Sequence, residues 1–263
     1  MSADVTFVAA EYTPPGPNDF EFPALVGNSQ LLTKSSFLLV LAAVVVLAYF
    51  LITTRKLQLV PTKGQFVLES SYNFVRDSIG RDIIGTRDFL RWVPLLVSLF
   101  FFILVNNIFG MLPFLQFPSF SRAGFAYGLA ILVWVIYNGV GIAKHGFFGY
   151  LKHVTVPVGV TGPVLPLVVL LEFLSNILVR PVTLSLRLFA NMFAGHLLII
   201  LFATGGEYLL LEASGIVNHI AGVLSYVLGI GVGFLELLVE FLQAFVFTLL
   251  TATYIGGALA EEH

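Results

Sequence analysis

The stretch from Ser35 to Thr54 runs without a charged side chain, closed by Lys34 on one side and Arg55 on the other. A helix needs about 20 predominantly apolar residues to cross the hydrocarbon of a bilayer. Two further stretches meet the same condition: Trp92–Ser121, with Pro113 and Pro118 placing the helix end near Leu112, and Ala123–Ala143, closed by Lys144. Such runs leave only a membrane helix as the fold, because every backbone polar group in lipid must be satisfied inside its own segment or a closed barrel. Composition agrees: 58% of the 263 residues are hydrophobic and only 11% are charged, against about a quarter charged in ordinary soluble domains.

From Val154 to Ala260 the chain stays apolar but carries isolated ionisable residues: Glu172, Arg180, Arg187, His196, His219, Glu236 and Glu240. This half reads as two long helices, about Pro163–Ala203 and Ile216–Ala260, joined by an acidic turn around Gly205, Gly206, Glu207 and Glu212. Each exceeds the length of one crossing, and steep tilt is the simplest accommodation. Between the first two spans, Leu68, Tyr72, Val75, Ile79 and Ile83 recur on one helical face within Thr62–Arg91, predicting an amphipathic helix in the membrane interface that weakens at Gly80 and Gly85. The expected architecture is an all-α polytopic membrane protein of about five crossings with a long tilted C-terminal helical hairpin. Residues 1–33 form an extramembrane arm, and 34–263 a single membrane domain: 34–153 hold three spans and the interfacial helix, 154–263 the hairpin.

Basic residues predict the orientation. The 55–91 connection holds Arg55, Lys56, Lys63, Arg76, Arg81, Arg87 and Arg91, and the 144–153 connection holds Lys144 and Lys152. Five crossings with the N-terminus outside put both connections and the C-terminus in the cytoplasm. The acidic, Pro-rich start (Asp4, Glu11, Pro14, Pro15, Pro17) does not resemble a signal or transit peptide. Net charge is −2, which offers no field for nucleic acid. The absence of Cys excludes thiolate metal sites, disulfides and Cys nucleophiles. No P-loop, H-E-x-x-H, G-x-S-x-G or G-x-G-x-x-G occurs; any ATP chemistry falls to a partner, and neither a cofactor nor a metal is expected.

Arg187, within PVTLSLRLFANMFAGH, sits far from either end of its helix, where an arginine costs about 2.5–3.5 kcal/mol on insertion scales. It holds a permanent charge and cannot pass on a proton. Two readings stand: a structural cation paired with a Glu of its own bundle, or an electrostatic gate. At about 100° per residue, Arg180, Thr183, Asn191 and Ala194 share its face, edged by small Ala190 and Ala194, which let another helix come close. His196 points to about the opposite face. On the last helix Glu236, Glu240 and Gln243 share a face. The two carboxylates suit a proton path in a watered cavity, or one of them neutralises Arg187. Gln243 either bonds Arg187 or satisfies itself internally. Gly229, Gly231 and Gly233 suit close packing, with room for water as the second role. His219 and Asn218 suit a channel mouth or an ordinary interface. Glu172 suits a cytoplasmic water path or an ion pair near its helix start. Asn106 and Asn107 suit interhelical bonding. Lys144, His145, Lys152 and His153 suit a solvated face, and Glu261, Glu262 and His263 a charged tail.

Across PVTLSLRLFANMFAGH and LELLVEFLQAFVFTLLTATYI the sequence resembles subunit a of F-type ATP synthases, mainly over 163–263: an Arg, an Asn four residues on, an Ala-Gly pair, and Leu-Gln-Ala-Phe in the final helix. The resemblance implies that Arg187 faces a rotating ring of c subunits and separates two aqueous half-channels, with Asn191 and Gln243 near that contact. It implies protons entering through water near Glu236 and His196, riding the ring on a c-subunit carboxylate, and leaving by a second path. Implied partners are the c-ring, the peripheral-stalk b subunits, the rest of the synthase and membrane lipid; the implied place is a bacterial plasma membrane. Some members hold Glu at the His196 position and His at the Glu236 position, and this chain looks like the exchanged form. Glu240 departs from the pattern, standing where an apolar residue is expected. A secondary transporter would show two related halves with broken helices, and none are visible. An intramembrane hydrolase would need more than Ser185 and His196.

Overall fold

The computed structural model describes residues 12–16, 33–55, 58–112, 115, 117–156 and 164–260. The expected roles of Lys56, Pro113, Pro163, the tail 261–263 and most of the N-terminal arm lie outside these residues. Helices occur at α1 (Lys34–Thr54), α2 (Lys63–Phe74) running on into a π-helical stretch π1 (Val75–Ile84), α3 (Phe89–Met111), α4 (Ala123–His145), α5 (Phe147–Thr155), α6 (Leu165–Phe173) continued by π2 (Leu174–Val179) and α7 (Arg180–Leu211), and α8 (Ile216–Leu259). Among the described residues, five helical segments are long and apolar enough to cross a membrane, with Leu165–Leu211 taken as one. At 1.5 Å per residue that segment is about 70 Å long, more than twice the ~30 Å of hydrocarbon it must cross. It fits only if it runs steeply inclined.

α7 and α8 form an antiparallel hairpin whose register can be followed along its whole length. Gly206 lies against Gly222, Gly195 against Glu236, Asn191 against Gln243, and Arg180 against Tyr254. The Ser225 hydroxyl donates to the Phe202 carbonyl at 2.8 Å. The tightest approach is at the glycine crossing, where a Cβ on Gly222 would stand 3.2 Å from the Gly206 carbonyl oxygen and 2.7 Å from Leu210 Cγ. The expected turn at Gly205, Gly206 and Glu207 is therefore displaced. All three lie inside α7, where the missing side chain of Gly206 serves the backbone approach to Gly222, and the chain reverses over Glu212–Gly215, where Gly215 takes φ +111°. The Gly229–Gly233 run shares the packing role unevenly. A Cβ on Gly229 would stand 3.1 Å from Phe202 Cβ, whereas one on Gly231 would meet nothing within 4 Å.

Both π-helical stretches have tertiary causes. At π2 the winding widens, and carbonyls are taken by donors from α4: Trp134 Nε1 donates to Ile177 O at 2.9 Å and the Tyr137 hydroxyl to Asn176 O at 3.2 Å. Wide turns of this kind replace the usual i→i+4 ladder, so outside donors stabilise them. π1 packs its apolar face on protein: Val75 and Ile79 are fully buried in the core formed with α3, α4, α7 and α8. Gly80 is buried against α3, where an added Cβ would stand 3.4 Å from Val93 Cγ2, so it serves as a packing residue instead of a breaker, and the stretch ends at Gly85 with φ +94°. Ile83, placed on the buried face by α-helical spacing, is exposed because the π winding rotates it away.

The elements meet at two ends. At one, the Lys144 ammonium donates to the Leu259 carbonyl, His153 Nε2 lies 3.2 Å from Gly257 O, and the His145 and His153 rings stack with centroids 5.0 Å apart. Lys144 and Lys152 are exposed, as a solvated face requires, and Lys144 and His153 also clamp the carbonyl end of α8, where a cation suits the free carbonyls and the dipole. Gly141 gives Tyr150 of α5 its seat on α4, and the Tyr150 hydroxyl donates to Asn138 Oδ1 at 3.1 Å; burial pushes that phenol's pKa up, so it remains a donor. At the other end Arg122 donates to Thr33 Oγ1 at 3.0 Å and Ser119 to Ser35 O at 3.2 Å. The two basic connections and the end of α8 therefore gather at one end, and the α7–α8 turn at the other.

Candidate functional site

Halfway along the hairpin three polar residues of α8 point inward together. Glu236 is 4% exposed, Glu240 1% and Gln243 3%, as their i, i+4, i+7 spacing requires. Asn191 Nδ2 of α7 donates to Gln243 Oε1 at 2.8 Å. Gln243 is therefore spent on Asn191 and not on Arg187. Asn107 Nδ2 of α3 donates to the Glu240 carbonyl at 3.1 Å, which makes it the interhelical bonding residue, while Asn106 donates back to Phe102 O within its own helix.

The carboxyl oxygens themselves are poorly served. Glu236 Oε2 and both oxygens of Glu240 have no hydrogen-bond partner among the described residues. Buried polar atoms are rarely left so, and intramembrane carboxylates mark proton relays and ion pathways. The Glu236 head lies on Gly195: a Cβ there would stand 2.8 Å from Oε1 and 2.9 Å from Cδ. The sequence marks Gly195 only as the glycine of the Ala-Gly pair, yet only a residue without a side chain leaves room there for that carboxylate.

His196, the next residue, is 7% exposed and lines a cavity of about 480 Å³ with Gly110, Met111, Thr204, Gly229 and Gly233. This cavity lies towards the α7–α8 turn, and the glycines Gly229 and Gly233 open it. Tyr12 approaches its rim, with its hydroxyl 3.4 Å from Thr204 Oγ1.

Arg187 stands on the outer face. It is exposed, as are Thr183, Ala190 and Ala194 along the same stripe. Among the described residues it forms no hydrogen bond or ion pair. The reading in which a Glu of its own bundle neutralises it does not hold for this structure. Arg180, placed in the same stripe by spacing, differs: its guanidinium carbon lies 5.0 Å from the Tyr254 ring centroid, a cation–π contact.

Two residues sit apart from this centre. His219 is exposed at the start of α8, its Nδ1 2.8 Å from Gly215 O, about 25 Å along the helix from Glu236. Glu172 is on α6 towards the opposite end, where its Oε2 accepts from Asn176 Nδ2 at 3.0 Å. The same Nδ2 donates to Val154 O at 2.8 Å. Asn176 thus ties α6 to the end of α5, a role signalled in the sequence only by its i+4 spacing from Glu172.

The sequence model of the family described as ATP synthase A chain matches residues 36–256. The chain is 57% identical to an ATP synthase subunit a of a Nocardioides species, over 96% of this chain and 95% of that protein. It is 48% identical to the one of Pseudarthrobacter chlorophenolicus, covering 97% and 96%, and 40% identical to the one of Streptomyces lividans, covering 98% and 91%.

Proposed function

Because the chain belongs to the ATP synthase subunit a family, and so to the membrane sector of the rotary ATP synthase, we propose that its α7–α8 hairpin is the proton-translocating stator surface. Arg187 is the gate between two half-channels. The observation that carries this reading is the contrast on one hairpin: a cation on the outer face without a partner among the described residues, and two buried carboxylates on the inner face, with Glu236 Oε2 and both Glu240 oxygens lacking a hydrogen-bond partner among the described residues.

Protons enter by the cavity at His196, pass Glu236 and Glu240, and reach a carboxylate on the c-ring. Asn191 and Gln243, locked to each other, fix the rotation of α7 against α8 and so aim Arg187 outward. A passing c-subunit carboxylate within about 4–6 Å of Arg187 favours its ionised form, since an opposite charge lowers a carboxyl pKa by 1–3 units. It therefore gives up its proton to the second path, towards Glu172. The ring, the b subunits of the peripheral stalk and lipid are the partners in this reading. The N-terminus lies outside, and the basic end with the α8 terminus lies in the cytoplasm of a bacterial plasma membrane. One elementary charge crossing 100 mV releases about 2.3 kcal/mol, so several protons are summed by rotation for each ATP.

Gly195→Ala tests the path. The added Cβ meets the flexible end of Glu236, so the helix pair keeps its packing while the carboxylate is pushed aside. Assembly is expected to be normal, and ATP-driven acidification of inverted vesicles to fall about tenfold, the scale of a sub-ångström misplacement at a transfer site. Unchanged acidification would remove Glu236 from the path.

A further inference from the structure

A second cavity, of about 720 Å³, lies far from the proton path between the start of α3, the end of α4 and Leu259 of α8. Its rim is basic. Arg87, Arg91 and Lys144 line it, and among the described residues the one carboxylate in its lining is Asp88. Among the described residues Arg87, Arg91 and Asp88 form no ion pair. The Arg91 guanidinium lies 5.8 Å from the Trp92 ring centroid, and the Lys144 ammonium is held at the rim by its bond to Leu259 O.

The rest of the cavity is apolar and runs up the outer side of α4. Val135 is 54% exposed there, and a Cβ on Gly139 would meet nothing within 4 Å, so the wall is shallow at that residue. Ile131, 53% exposed, continues the lane. From Lys144 back to Val135 is about 14 Å along the helix axis, close to the ~15 Å half-thickness of the hydrocarbon. Cations at the helix end and an open aliphatic lane one leaflet deep reproduce the polarity of a phospholipid, head at the rim and chain along the groove. Trp92 stands at the junction, where amphipathic rings favour the interface.

We propose that this cavity binds an anionic phospholipid, its phosphate between Arg87 and Arg91 and one acyl chain along Val135 and Gly139. Charge complementarity selects the lipid: two guanidinium groups without ion-pair partners among the described residues favour a headgroup of net negative charge over a zwitterionic one. The site is independent of the gate, since neither arginine belongs to the proton path.

The test uses the assembled synthase in nanodiscs doped with phosphatidylglycerol carrying a photoactivatable acyl chain, or with the matching phosphatidylcholine, followed by peptide mapping of α4. Labelling around Val135–Val140 is expected to favour phosphatidylglycerol about thirtyfold, the factor two cations at an anionic headgroup supply. Arg87→Gln with Arg91→Gln should bring the two probes level, and the paired Arg→Lys variant should keep the preference. Equal labelling by both probes in the unaltered complex would overturn the proposal. So would an α4 surface cross-linked to another subunit and reached by neither lipid. The unaltered complex alone decides the matter if the double variant fails to assemble.

Discussion

Replacing Arg187 with alanine is expected to abolish ATP-driven proton pumping while the synthase still assembles. The side chain is exposed and without a hydrogen bond or ion pair among the described residues, so its removal orphans no neighbour. Substitutions of this kind ordinarily shift stability by no more than about 0.5 kcal/mol, and removing a mid-membrane cation relieves an insertion cost of about 2.5–3.5 kcal/mol. What is lost is the bias on a passing carboxylate. A shift of 1–3 pKa units corresponds to about 1.4–4 kcal/mol of preference for the ionised form. Without it, a protonated c subunit passes unchanged between the two paths and rotation carries no net charge. Inverted vesicles given ATP should show hydrolysis without acidification. Arg187→Lys restores a charge but one that can itself deprotonate when desolvated, so it should recover little. Coupled pumping retained in the alanine variant would refute the gate.

The second large effect is expected from exchanging His196 and Glu236. The two lie on facing helices of the hairpin, and the Glu236 carboxylate rests on Gly195, the residue before His196. Both side chains are buried, so converting either one alone leaves the hairpin with two like groups where it had one of each. His196→Glu adds a third buried carboxylate beside Glu236 and Glu240, and Glu236→His removes one acceptor from the path. Positioned proton carriers contribute about 10²–10⁴ in rate, and each single change should lower ATP synthesis by at least the lower figure. The double exchange restores one carboxylate and one imidazole and should recover a measurable fraction. ATP synthesis in energised inverted vesicles distinguishes the three variants, and equal loss in all would refute the pairing.

Much of this architecture is legible from residues alone, for an identifiable reason. Crossing helices are delimited by charge, and Lys34, Arg55 and Lys144 bound α1 and α4 to within a few residues of the expected limits. Arg187 and the Glu236, Glu240, Gln243 face follow from helical spacing, which holds where the winding is regular. What escaped depends on contacts between helices distant in sequence. Gly206 carries the same letter whether it turns a chain or lets Gly222 approach, and only the register of the hairpin distinguishes them. The π winding at Leu174–Val179 relies on Trp134 and Tyr137 of another helix, and the π1 winding moves Ile83 off a face that α-helical counting assigns it. Gln243 has two amide ends and several reachable partners; its bond to Asn191 is set by the rotation of α7. The clamp of Lys144 and His153 on the last carbonyls of α8 joins parts of the chain that no local pattern relates.

A gate at Arg187 requires a moving partner on the exposed side of α7. Ala194 lies on the same stripe and is exposed, so Ala194→Cys places a reporter beside the contact without touching the arginine. Oxidative cross-linking in the assembled synthase, with a second cysteine next to the membrane carboxylate of a small two-helix c subunit, measures that contact directly. The predicted result is a disulfide between the two subunits whose yield rises as ATP-driven rotation brings successive c subunits past α7. A cysteine at 194 that never links to the c subunit, with or without ATP, would contradict it.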